Sequence, residues 1–132
     1  MLKTKKMLLH VAITIHSSKE IENFYKKILL FTVQRKFSLN KETSQKIFNT
    51  EEVVDVYLME HQSVQFEIFV SRKKEEKLFS HVCLAYRQTN TIYEKAIKQG
   101  YETQIKRNKE NNTYFIWDKS GNMFEIKEIQ DQ

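Results

Sequence analysis

Proline is absent from this chain, and glycine occurs only twice, at Gly100 and Gly121. Collagen-like, proline-rich and glycine-serine-rich architectures are therefore excluded, and few turns announce themselves. A single cysteine, Cys83, excludes an internal disulfide and suits a reducing, cytoplasmic setting. No apolar run approaches the roughly 18 residues a membrane span needs, so no membrane partner is expected. The opening "MLKTKKMLLHVAITIH" has a basic start before apolar residues, as signal peptides do. However, His10 and Thr14 interrupt the run and no small-residue cleavage site follows, so it reads as a strand of the mature protein.

What is present describes one globular domain spanning residues 1–132, with 40% hydrophobic and 30% charged residues. The net charge of +5 raises the question of nucleic acid or an anionic partner. The lysines are scattered, "RKKEEK" (Arg72 to Lys77) mixes both signs, and no nucleic-acid motif accompanies them. A nucleic-acid partner is therefore not expected.

The chain divides into two similar halves, module 1 at about 7–71 and module 2 at about 78–130. In module 1, "LLHVAITI" is a strand by its β-branched content. "SSKEIENFYKKILL" follows as a helix, with Ser17 and Glu20 at capping-box spacing. Its Ile21, Phe24, Tyr25, Ile28 and Leu29 form one apolar stripe. Three more strands are expected at "FTVQRKFS", "VVDVYLME" and "VQFEIFV", the last two joined by the short link "HQS". The stretch from Asn40 to Glu52 reads as a loop with some extended structure.

Module 2 repeats the order. "FSHVCLAY" is a strand and "NTIYEKAIKQG" a helix, with Thr91 and Glu94 as its capping box and Gly100 as a left-handed C-terminal cap. "ETQIKR", "TYFIWD" and "MFEIKEI" are strands, with "KSGN" turning between the last two. The fold class is α+β: two βαβββ modules forming a curved mixed sheet around a concavity, with helices on the convex side.

Strand alternation then gives the ionisable residues a direction. Leu9, Val11, Ile13 and Ile15 make the helix-facing side of the first strand, leaving His10 with Ala12 and Thr14 on the other. In the same way His81 shares a face with Cys83 and Ala85, Glu67 opposes Phe66 and Ile68, and Glu125 opposes Phe124 and Ile126. A lone His or Glu on a sheet face is ordinarily solvated or hydrogen-bonded. Two matching copies of His…Glu on one face point instead to ligands for a divalent cation. Imidazole and carboxylate together suit Ni, Co, Zn, Mn or Fe(II), and two carboxylates offset the dication's charge. Of the other candidates, His16 reads as a solvated residue before the helix and His61 as an exposed hairpin residue. Cys83 reads as a small buried hydrophobe, and Tyr114, Phe115 and Trp117 as core or interface.

"LLHVAI", "NFYKKILLF", "VQFEIFV", "SHVCLAY" and "DKSGNMFEI" together resemble the vicinal oxygen chelate superfamily, which includes glyoxalase I, extradiol dioxygenases, and fosfomycin and bleomycin resistance proteins. The likeness runs from about Leu8 to Ile129. In its closing motif Asp118, Gly121 and Glu125 match, while Lys119 replaces a proline; Leu30 stands where a glycine is usual. The resemblance implies that His10, Glu67, His81 and Glu125 are metal ligands, the set of bacterial glyoxalase I. It implies a metal-dependent, glyoxalase I-like lyase or isomerase acting on a hemithioacetal or hydroxy-carbonyl molecule. Glu125 would be the catalytic residue that moves a proton, with Glu67 as the symmetric alternative for the base and enediolate stabilisation by the metal. Thr14 and Ser71 replace the arginine and asparagine that help hold glutathione in glyoxalase I. The alternative is a small-molecule binding or resistance protein of the bleomycin or fosfomycin type, with or without a metal. The family also implies a homodimer, in some members with each site built from two chains.

Overall fold

The computed structural model describes residues 8–73 and 79–129. The module limits near residues 7, 78 and 130, and most of the mixed-charge run from Arg72 to Lys77, lie outside them. Module 1 contains β1 (Val11–Ile15), α1 (Ile21–Lys26), β2 (Thr32–Leu39), α2 (Lys41–Phe48), β3 (Val54–His61) and β4 (Val64–Val70). Module 2 contains β5 (His81–Tyr86), α3 (Thr89–Lys98), β6 (Glu102–Lys106), β7 (Thr113–Trp117) and β8 (Met123–Glu128). The α+β class and the repeated strand order agree with the sequence reading. The eight strands form two four-stranded sheets, β1-β4-β3-β2 and β5-β8-β7-β6. In each sheet the first strand runs parallel to the fourth, and the remaining pairs are antiparallel.

Period-two alternation sends one face of each sheet into a common core. Ile13, Ile15, Phe66 and Ile68 from module 1 join Leu84, Tyr86, Ile116, Phe124 and Ile126 from module 2. The expected stripe on α1 is buried between them: Phe24 and Tyr25 are fully covered, and both rings meet Phe124. Burying each such side chain contributes roughly 1.5–3 kcal/mol. This shared core fixes the modules to one another and leaves the opposite face of each sheet free.

Three local readings need correction. The Ser17–Glu20 capping box does not form. Glu20 turns inward instead, where it is buried and accepts hydrogen bonds from Tyr101 Oη and the Lys119 amide, both at 2.6 Å. Two donors from module 2 hold the carboxylate better than a frayed helix start would, and α1 winds with i→i+5 bonds from the Lys27 and Leu29 amides. In module 2 the helix begins at Thr89, so Thr91 lies inside it and no side chain caps it, although Gly100 has the expected left-handed φ of 83°.

The third correction is the stretch after Asn40, which holds the helix α2 rather than a loop. Asn40 Oδ1 caps it by accepting from the Thr43 amide at 2.8 Å, and Asn49 closes it in the left-handed conformation. This helix lies on the free face of the first sheet, where the Phe48 ring meets Phe69 edge-on at 5.2 Å.

Candidate functional site

The parallel pairing of β1 with β4 sets the first half of the site. Ala12 pairs with Glu67, so His10, two residues earlier on the same face, reaches the carboxylate diagonally. His10 Nε2 lies 3.7 Å from Glu67 Oε1. Module 2 repeats this register: Cys83 pairs with Glu125, and His81 stands two residues before Cys83. His81 Nε2 lies 3.3 Å from Glu125 Oε1. In both pairs the carboxylate is the more covered partner, 22% and 18% exposed against 44% and 39% for the histidines. Lys127 Nζ stands 3.6 Å from the other Glu125 oxygen, at the exposed rim.

The histidine in module 2 is oriented by a further contact. His81 Nδ1 lies 2.8 Å from the Phe79 carbonyl oxygen, which can only accept, so Nδ1 carries the proton. In the neutral ring Nε2 then presents its lone pair toward Glu125. Two lone-pair donors face one another at 3.3 Å, an arrangement favoured only when a proton or a cation lies with them. A backbone carbonyl on the far ring nitrogen is also how metal-binding imidazoles are commonly held. The donor set therefore fits a divalent cation.

Each module brings its own pair together, but one chain does not unite the two pairs. Among the described residues, no three His, Cys, Asp or Glu side chains are grouped closely enough to hold one metal ion. Both pairs occupy the faces turned away from the shared core. A cleft of about 300 Å³ runs between β1 and the β5–β8 pair, with His81, Ala12, Thr14 and Met123 in its lining.

The closing motif has a structural role beyond delivering Glu125. Buried Asp118 accepts from the Ser120 and Asn122 amides at 3.0 and 2.8 Å and from Tyr25 Oη at 2.7 Å. Burial, followed by the Asp118 carboxylate, holds the Tyr25 phenol well above its usual range. Asn122 Nδ2 donates to Asp118 and to the Thr14 carbonyl, tying the turn before β8 to β1. Gly121 supplies the positive φ of 87° that the turn requires.

The secondary candidates fall in different places. Cys83 is exposed rather than buried and sits beside Glu125; partial desolvation and that carboxylate push its thiol up. His16 is half-buried, its ring nitrogen 2.8 Å from the Ser71 carbonyl. His61 is not exposed but half-buried in β3, stacked on Tyr86. Tyr114 is core, whereas Phe115 and Trp117 share the free face with Glu125. Ser71 Oγ, at a position where the resemblance implies a glutathione contact in glyoxalase I, donates to Glu52 at 2.8 Å. Sequence reasoning missed Ser44, which is completely buried on α2 with a hydroxyl that has no hydrogen-bond partner. The Asn40 and Asn49 caps were the available signal for that helix.

No family model and no curated protein matches the sequence. Solved structures do. A glyoxalase family protein from Enterococcus faecalis matches with a TM-score of 0.67 and 21% identity, over 92% of this chain and 96% of the other. The fosfomycin resistance protein FosX from Listeria monocytogenes, in complex with Mn(II) and 1S,2S-dihydroxypropylphosphonic acid, matches with a TM-score of 0.73 and 13% identity. That match covers 94% of this chain and 93% of the other. FosX from Mesorhizobium loti matches at 0.68 and 11% identity, over 94% and 92%. These neighbours are vicinal oxygen chelate proteins. With both halves paired in the same order and nearly the whole length superposed, the chain has the fold of the vicinal oxygen chelate superfamily.

Proposed function

We propose that the protein is a divalent-metal-dependent lyase or isomerase of the glyoxalase I type, acting on a small hydroxy-carbonyl or hemithioacetal molecule. The observation that carries this reading is the pair of matched His–Glu diagonals, each on the free face of its sheet. His10, Glu67, His81 and Glu125 would hold the ion; because one chain keeps the two pairs apart, one pair would come from each of two chains. A homodimer is thus part of the proposal. When bound, the cation supplies Lewis-acid charge that stabilises oxygens next to the reacting carbons.

Glu125 is the residue assigned to move the proton. It is the more covered member of the pair with the fixed imidazole, and Phe115 faces it across the β7–β8 ladder. That surrounding restricts water at the carboxylate, as proton transfer between adjacent carbons requires. Glu67 would then serve as a permanent ligand beneath His10.

The similarity to FosX structures supports a second reading, a metal-assisted resistance protein that takes a phosphonate of the fosfomycin type. Protein stripped of metal and titrated with Ni, Co, Zn, Mn and Fe(II) tests both readings, followed by assays on a hemithioacetal and on fosfomycin. Tight uptake with turnover of the hemithioacetal is expected. Uptake with consumption of fosfomycin alone would move the assignment to the second reading, and no uptake of any of the five would overturn both.

A further inference from the structure

An irregularity in the edge strand β2 sets one cation in line with the first His–Glu pair. Val33 pairs with Met59, but Arg35 pairs with the next residue, Leu58, so Gln34 is the extra residue of a β-bulge. Unbroken pairing would set Arg35 against Tyr57, which packs on the shared core. The bulge moves Arg35 by one residue and so delivers it to the free face. Bulges next to functional sites commonly re-aim a side chain in this way.

Across that face one row reads Ala12, Glu67, Leu58 and Arg35 from β1 to β2. Adjacent strands lie about 4.8 Å apart, so Arg35 stands roughly 10 Å from Glu67, with half-buried Leu58 between them. The exposed Arg35 guanidinium lies 5.0 Å from the centroid of the Phe37 ring, which steadies it without neutralising it. It pairs with no carboxylate among the described residues. The matching row in module 2 reads Cys83, Glu125, Phe115 and Gln104, and ends in a neutral amide. Lys127, on the free face of that module, is paired with Glu125 itself. Further along β1 and β4, α2 roofs a cavity of about 230 Å³ lined by Leu39, Phe48 and Phe69. The uncovered surface next to Glu67 therefore runs across the strands, toward Arg35.

We propose that Arg35 is a specificity-determining residue that takes the terminal carboxylate of the substrate. The substrate is then a hydroxy-carbonyl acid, with two neighbouring oxygens at the metal, a short aliphatic stretch over Leu58 and a carboxylate at the far end. A planar guanidinium receives both carboxylate oxygens at once, as a point charge cannot. This assignment rests on the proposed metal-dependent function. Because Arg35 and Glu67 lie on one sheet, the row is the same whichever chain supplies the second pair.

For the test, full-length protein is titrated with the same five metals and loaded with the one it binds most tightly. Calorimetry then compares two hydroxamates of equal chain length, hexanohydroxamate and adipic acid monohydroxamate. Both offer two neighbouring oxygens to a metal, but only the second ends in a carboxylate. Wild type should bind the carboxylate-ended probe about tenfold more tightly. Arg35→Gln should remove that preference while metal uptake, hexanohydroxamate affinity and melting temperature stay as in wild type. Arg35→Lys should keep only part of the preference. Metal uptake without the preference in wild type, or a preference that survives in Arg35→Gln, would overturn this inference alone. No uptake of metal would overturn the proposed function and this inference with it.

Discussion

The two modules share a strand order and a diagonal His–Glu geometry, yet they differ wherever a helix begins or a turn closes. After α1 the chain turns through Leu30 with φ 67°, whereas after α3 the same turn falls on Gly100 with φ 83°. The β3–β4 link is a tight turn with Gln62 and Ser63 both at positive φ, whereas the β7–β8 link is built on the Asp118 side chain. Module 1 alone inserts a helix, α2, over its free face. The strand pairing, which positions the candidate ligands, is thus common to both halves. The turns and caps carry the individual roles: clamping the modules together in one, roofing a cavity in the other.

If the His–Glu pairs are equivalent, removing either should have the same consequence. His10→Ala and His81→Ala are each expected to weaken metal binding more than about 100-fold, since merely losing an outer hydrogen bond to a ligand costs 10–100-fold. Titration of each variant with Zn or Ni checks this, and strongly unequal losses would break the symmetry. Acidification should weaken binding in wild type as well, because protonated imidazole is no ligand.

The closing turns should not be equivalent. Asp118→Ala leaves the Tyr25 hydroxyl and two amides of the clamp without their acceptor, and should cost about 3 kcal/mol in denaturant unfolding. Gln62→Gly in the module 1 turn should be neutral or slightly stabilising, since glycine adopts its φ of 49° freely. At the helix ends, Leu30→Gly should stabilise by about 1 kcal/mol and Gly100→Ala destabilise by a similar amount, because only glycine takes a left-handed φ without strain. Opposite shifts in melting temperature check that pair.

The smallest effect concerns Glu52, which has no counterpart in module 2. Its carboxyl is held low by Ser71, so its contribution is present above the unfolded value and disappears as pH falls through the folded one. Glu52→Gln should therefore narrow the melting-temperature gap between neutral and acid solution, without altering metal uptake.

The sequence was most legible where periodicity is strict. The alternation in "VQFEIFV" and "MFEIKEI" placed Glu67 and Glu125 on the free faces, and the structure has them there. It was least legible where side chains choose between partners. Glu20 has capping-box spacing but is satisfied by Tyr101 and the Lys119 amide, both distant in sequence. The helix α2 has few apolar residues to mark a period, so only its two asparagine caps announced it. Convergence of the two pairs was not legible, because alternation gives a residue a face but says nothing of what that face meets.

Mixing complementary variants tests the two-chain metal site most directly. His10→Ala and His81→Ala proteins are unfolded and refolded together at equal amounts, and tightly bound metal is measured. Each variant alone should bind almost none. In a mixed dimer one site then combines two intact pairs, so random pairing should restore about one ion per four chains. No gain on mixing, with wild type binding one ion per chain, would contradict a site shared between two copies.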